Sequence, residues 1–216
     1  MQVKLISYSQ TPDGIGNDDL QQLIAFCARV SNPANQHNTE TSDKLIKYLI
    51  KNKHWSPLEM VSVCLQIETT RDIARQMLRH RSFSFQEFSQ RYADPTEDLE
   101  FVTREARLQD PKNRQNSIEC DDIRIKSTWE VRQLEVIDRV QKEYRWAIEN
   151  GIAKEQARAI LPEGLTLSRL YMNGTLRSWV HYIDLRSANG TQKEHADIAK
   201  ECAEVIVDIF PIMNEL

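Results

Sequence analysis

The sequence predicts an α+β fold, a helix-rich single domain over residues 1–216 with a small antiparallel sheet. Three observations lead there. Three short segments, at 3–7, 61–68 and 165–172, alternate in the manner of half-buried strands. Longer segments carry apolar residues at the three-and-four spacing of helices. No internal repeat or low-complexity tract points to another architecture.

Val3, Leu5 and Ser7 alternate with Gln2, Lys4 and Ile6, so the chain opens with a strand ending in the turn-rich SQTPDGIGND. Asp18 or Asp19 then caps a helix to about Ser31, its carboxylate accepting from the free N–H groups of the first turn. After the loop NPANQHNTE, Ser42 is the expected cap of a second helix striped by Leu45, Ile46 and Leu49. HWSPLEM interrupts the pattern, and the next strand sets Val61, Val63, Leu65 and Ile67 on one face. The spacing predicts a helix over 70–81, capped by Thr69 or Thr70 with Asp72 in its first turn. Residues 93–117, with Pro95, Pro111 and many charges, read as a lid-like excursion reaching about 120, with at most one short strand near Phe101. A long helix follows over about 121–150, with Leu134, Ile137, Tyr144 and Ile148 on one side, and Gly151 stops it. Residues 154–161 form a short helix ended by Pro162, LTLSRLYM a strand, and TLRSWVHYIDLR a helix. A final helix over 195–210 is closed by Pro211.

Composition excludes several function classes. Lys plus Arg total 28 against 32 acidic residues, so the overall field does not attract nucleic acid and any anion must be held by a local patch. The first residues lack a signal peptide's basic start and apolar core, and no apolar run approaches membrane-spanning length, so a cytoplasmic protein without a membrane partner is expected. Cys27, Cys64, Cys120 and Cys202 lie far apart with no CxxC spacing, against both a zinc site and a disulfide framework, and no metal is expected. HExxH, GxSxG, the Walker loop and GxGxxG are all missing. A dinucleotide would therefore be held by side chains and helix ends.

The local patch is RHRSFSFQEFSQRY, residues 79–92. Arg71, Arg75 and Arg79 recur every four residues as a basic stripe, which as mere surface would repel itself slightly. Arg79, Arg81 and Arg91 bracket a segment dense in hydroxyls, and guanidinium with hydroxyl is a usual donor set for phosphate oxygens. His80, between two arginines, is expected to be neutral. Glu87 stands alone among them as an acid that orients an arginine or meets a ligand.

This stretch resembles the signature of the flavin-dependent thymidylate synthases (ThyX): Arg79-His80-Arg81 with Ser84, Glu87, Ser89, Arg91 and Tyr92 at the family spacing. HWSPLE at 54–59 resembles the family's His-x-Ser/Thr-Pro-x-Glu segment, QARAILP at 156–162 its Ala-Arg-x-x-Leu-Pro segment, and GTLRSWVHYIDLR at 174–186 its arginine-bearing helix. Gln86 stands where Asn is more usual, and the link after Arg186, SANGTQKEHAD, is longer than the family's.

The resemblance implies a ThyX-like homotetramer that makes dTMP from dUMP, with methylenetetrahydrofolate as carbon donor, NADPH as reductant and FAD as cofactor. It implies a dUMP site of Gln76, Met77, Leu78, Arg79, Glu87, Phe88, Ser89, Gln90, Arg91, Arg158 and Arg186, sites being shared between subunits. It places FAD against Ser56, Arg79, His80, Arg81, Glu87, Thr175, Leu176, Arg177 and His181, the last two sharing a helical face. Arg186 is the implied catalytic residue, stabilising charge that develops on the pyrimidine. Two other readings compete: a flavin- or nucleotide-binding protein of this fold without synthase activity, and an arginine-rich nucleic-acid module.

Overall fold

The structure, a computed structural model, describes residues 2–11 and 19–215; of the turn-rich stretch expected at 9–18, residues 12–18, Asp18 included, lie outside them. Four strands, β1 (Gln2–Tyr8), β2 (Ser62–Thr70), β3 (Phe83–Glu87) and β6 (Leu167–Thr175), form an antiparallel sheet in the order β1-β2-β6-β3. The alternation in β2 decides which face is covered. Val63, Leu65 and Ile67 are fully buried, while Ser62, Cys64, Gln66 and Glu68 are half-exposed. Each such buried aliphatic contributes about 1.5–3 kcal/mol relative to exposure. The β2–β6 register runs unbroken from Ser62 opposite Thr175 to Thr70 opposite Leu167.

Helices α1 (Leu20–Ala28), α2 (Ser42–Lys51), α3 (Arg71–Met77), α7 (Leu176–Ser187) and α8 (Lys193–Val207) surround one core with Trp179 at its centre. The Trp179 indole donates to the Val63 carbonyl at 3.0 Å and meets Phe83 edge-on, with ring centroids 4.9 Å apart. Gly174, opposite Phe83 in the sheet, is required by that packing: a Cβ there would collide with the Phe83 ring. Asp19 caps α1, accepting from the Gln22 amide at 2.7 Å, and Thr175 caps α7.

Several expectations need correction. β1 shifts register between Leu5 and Ser7, so Ser7 faces Cys64 on the outer side instead of continuing the Val3–Leu5 face. Helix α1 ends at Ala28, short of 31. Ser42 is the first residue of α2, its hydroxyl buried without a partner among the described residues; the cap position belongs to Thr41, which accepts from Arg29. Helix α3 stops at Met77, short of 81, and Phe83–Glu87 pairs with β6 as β3, a strand not expected from the phenylalanine-serine run. Residues 93–120 carry a short helix α4 (Pro95–Asp98) and a hairpin of β4 (Arg107–Gln109) and β5 (Ser117–Glu119), where one short strand was expected. Phe101 forms only an isolated bridge with Thr166. That segment is stitched down: Arg104 reaches Thr70 and Asp72, each at 2.6 Å, and its backbone exchanges two hydrogen bonds with the Gln133 amide.

Helix α5 (Ile123–Glu149) is capped by Asp122 and, as its sequence predicts, stopped by Gly151, with φ +78°. Its inner line is Gln133, Ile137, Tyr144 and Ala147, whereas Leu134, expected on the inward side, is 51% exposed. The phase is set by the helix's few neighbours. Tyr144 and Ala147 cluster with Ala157 and Leu161 from the short α6 (Lys154–Ala157) and the turn that follows it. Helix α8 starts at Lys193 and ends at Val207, two residues earlier and three residues earlier than its apolar stripe implied.

Candidate active site

The stretch 79–92 is divided by the fold into three parts. Arg79, His80 and Arg81 follow α3, residues 83–87 run along the sheet edge as β3, and 88–92 turn away toward α6. The basic stripe dissolves accordingly. Arg71 faces Glu87 at 3.5 Å and Arg75 pairs with Glu163 at 2.6 Å, while Arg79 lies beyond the helix end. Arg79 and Arg81 are exposed, and among the described residues neither side chain has an ion-pair or hydrogen-bond partner.

Helix α7 brings Arg186 back to this turn. Its Nε donates to His80 Nε2 at 2.9 Å, joining positions 106 apart in sequence. Because an arginine only donates, His80 must offer a lone pair there. Burial lowers the His80 pKa, and the guanidinium charges of Arg186 and Arg79 lower it further. The neutral imidazole expected from two flanking arginines is thus present, though burial and Arg186 outrank one flank and Arg81 plays no part.

Behind His80 lies a second layer. Tyr182, one helical turn before Arg186, packs its ring 5.0 Å from His80 and sets its hydroxyl 3.1 Å from His195 Nε2. His195 Nδ1 meets Gln76 Oε1 at 3.1 Å, and Gln76 Nε2 donates to Gln192 Oε1 at 2.9 Å. His195 is wholly buried, and burial, with Arg186 and His80 nearby, brings its pKa down to about 4. Neither Tyr182 nor His195 was recognised from sequence as a site neighbour. The four-residue spacing from Tyr182 to Arg186 was the available signal.

Glu87 is held by β6: its Oε1 accepts from the Ser168 hydroxyl at 2.7 Å. The following residues open outward. The Ser89 hydroxyl accepts from the Arg91 backbone at 3.4 Å, Arg91 pairs with Glu155 at 3.5 Å, and Arg158 Nε donates to the Glu155 carbonyl at 3.3 Å. Lys154 reaches the Tyr92 carbonyl at 3.3 Å, so the 89–92 and 154–158 segments adjoin. Gln90 is buried with its Nε2 unpartnered, while Phe88 is half-buried and its amide bonds the Arg169 carbonyl at 2.8 Å.

The remaining candidates lie along α7. His181 is exposed and stacks edge-on against Trp55, with centroids 4.5 Å apart, beside a groove of about 450 Å³. Arg177 pairs with Glu59 of the turn 56–59, where Ser56 is exposed. Met77 and Leu176 are core residues with fully buried side chains, and Leu78 is 37% exposed. The Thr175 hydroxyl is occupied as the α7 cap.

The site thus gathers guanidinium groups, hydroxyls and one neutral imidazole, a donor set suited to phosphate and carbonyl oxygens. Among the described residues there is no group of three or more His, Cys, Asp or Glu able to hold a metal ion, and no helix long and apolar enough to cross a membrane. The four cysteines are free. Compared with known proteins, residues 5–212 match the family described as thymidylate synthase complementing protein. A probable flavin-dependent thymidylate synthase of Paramecium bursaria Chlorella virus 1 is 47% identical over 211 residues, covering 98% of this chain and 96% of that protein. The chain belongs to the flavin-dependent thymidylate synthase family.

A second family member, from Synechocystis sp., is 46% identical over 213 residues, covering 98% of this chain and 96% of its own. The fold is also that of a crystal structure described as a UMP/dUMP methylase, PolB of Streptomyces cacaoi, bound with 5-Br dUMP. That likeness has a TM-score of 0.81 at 24% identity, over 99% of this chain and 93% of the other. The family expectation of α+β architecture therefore stands, and membership makes this chain an enzyme of the thymidylate synthase class.

Proposed function

We propose that this protein converts dUMP to dTMP, with methylenetetrahydrofolate supplying the carbon, NADPH the reducing equivalents and FAD bound as cofactor. The observation that carries the reading is the Arg186–His80 hydrogen bond, which ties the arginine-bearing helix to the Arg-His-Arg turn within a family member. Arg186 is held by its Nε, leaving its terminal nitrogens for a pyrimidine edge. A guanidinium there stabilises negative charge developing on the ring at N3 and O4. His80, kept neutral, fixes the guanidinium without competing with its charge.

The unpaired Arg79 and Arg81 support a cofactor at this turn. Two exposed guanidinium groups without partners among the described residues fit the pyrophosphate of a dinucleotide better than a solvated surface, where neighbouring arginines are paired. Ser56, Thr175, Arg177 and His181 would hold its other end, Thr175 through backbone because its hydroxyl caps α7. When bound, FAD supplies the redox chemistry. Arg91, Arg158 and Ser89 would bind the dUMP phosphate, whose arrival displaces the loose contacts the two arginines make with Glu155. The buried, unpartnered Gln90 Nε2 fits a further acceptor on that ligand.

A homotetramer with shared sites also follows from this reading. Trp129, Val131, Leu134, Val136 and Trp146 leave α5 with large apolar side chains 45–56% exposed, an area that a second copy would cover. The test is anaerobic: FAD-loaded protein is mixed with NADPH, with and without dUMP, and the visible flavin band is followed. Bleaching that dUMP accelerates, followed by dTMP formation on adding methylenetetrahydrofolate, is expected. Retained flavin without dTMP would support a non-synthase flavoprotein instead, and failure to bind flavin would overturn the reading.

A further inference from the structure

Gln76 is oriented from both ends by hydrogen bonds that leave its amide only one consistent direction. On the outer side, Gln192 Nε2 donates to the Glu194 carboxylate at 2.9 Å, so Gln192 Oε1 faces Gln76 and must receive the Gln76 NH2. On the inner side, Gln76 Oε1 lies 3.1 Å from His195 Nδ1, so that nitrogen carries the imidazole hydrogen. The neutral ring then accepts at Nε2 from the Tyr182 hydroxyl, 3.1 Å away, which has no other hydrogen-bond partner among the described residues. Reversing the amide would make His195 change tautomer and donate from Nε2 to the Tyr182 hydroxyl, whose own hydrogen would then be buried without an acceptor among the described residues, and would set carbonyl against carbonyl at Gln192. His195 and Tyr182 are 0% and 1% exposed, so water does not relieve that conflict.

We propose that the Tyr182–His195 pair is a positioning device that fixes Gln76 as a one-way donor, to which an acceptor oxygen of dUMP binds in place of Gln192 Oε1. This rests on the reading of Gln76 as a substrate-binding residue. Gln192 belongs to the lengthened link after Arg186, so that link occupies the donor the nucleotide would use. Tyr182 and His195 act through Gln76 and touch no substrate. Their arrangement selects an oxygen at that point and disfavours a ligand group that itself donates there.

The test is a double-mutant cycle on the FAD-loaded protein, with dUMP affinity measured by titration calorimetry. Gln76→Ala is expected to weaken binding about ten-fold and Tyr182→Phe about three- to five-fold, the effect of one neutral hydrogen bond. In the Gln76→Ala background, Tyr182→Phe should then cost nothing further, a coupling that a merely structural tyrosine would not show. His195→Asn, whose amide N–H replaces the Nδ1 hydrogen, should bind better than His195→Leu. Equal Tyr182→Phe losses in both backgrounds, or no loss in the parent, would overturn the positioning role while leaving Gln76 in the site. If Gln76→Ala binds dUMP normally, the assignment of Gln76 to the substrate falls and the proposal falls with it.

Discussion

The two halves of the candidate site are built differently. Arg186 and His80 meet beside Tyr182, which packs in turn on Trp179 and Phe83, all three rings buried in the core. Arg91 and Arg158 stand on a turn and a short helix, both in contact with Glu155 and Arg91 also over the Tyr92 ring, and the Arg91–Glu155 pair leaves both side chains at least half exposed. The first half is preorganised by the same packing that stabilises the chain. The second is an open pair of cations whose binding geometry a ligand must complete. Preorganisation is where an electrostatic contribution to catalysis is largest, whereas exposed cations mainly capture and orient an anion.

The largest expected effect tests that division directly. Arg186→Ala should lower turnover by roughly 10²–10³-fold while dUMP affinity changes much less, measured as dTMP formation and as equilibrium binding. Equal losses in both would break the distinction. Arg158→Ala should show the opposite split, weakening dUMP binding by about ten-fold or more with turnover at saturating dUMP nearly unchanged. That loss should shrink as salt is raised, because exposed charges are screened.

Stability should separate the halves as well. Gly174→Ala forces the Phe83 ring out of its place against Trp179, and about 1–3 kcal/mol of destabilisation is expected by denaturant titration. Arg158→Ala should stay within about 0.5 kcal/mol of the parent in the same measurement. A smaller effect concerns pH. His195 titrates near its ordinary value of 6.5 when unfolded and at about 4 when folded, so the unfolded chain takes up the proton first. Stability is therefore expected to fall as pH drops from about 6.5 toward 4, and His195→Asn should remove that part of the slope. A slope unchanged in His195→Asn would assign it to other groups.

Much of the scaffold was legible from local pattern. The alternation of Val63, Leu65 and Ile67 gave both β2 and its buried face, and Gly151 marked the end of α5 through its left-handed backbone. The strand β3 was missed although Phe83 and Phe85 alternate with Ser84 and Gln86, because two periods among arginines and hydroxyls are too few to fix a strand without its pairing to β6. The hairpin at 107–119 was hidden for the same reason, its three-residue strands carrying no usable period. Within the site, the residue types on 79–92 and the helix ending in Arg186 were readable as chemistry. Their contact was not.

What the sequence determined by itself was the donor chemistry: guanidinium groups, hydroxyls and a histidine flanked by arginines, at a spacing that resembles one family. Tertiary structure alone decided which of those groups became free. It paired Arg71 with Glu87 and Arg75 with Glu163, left Arg79 and Arg81 without a partner among the described residues, and set Tyr182 and His195 beneath Gln76. The physical reason is range. Propensity and periodicity act over a few residues, whereas the hydrogen bond from Arg186 to His80 exists only because α7 packs its buried face onto the sheet.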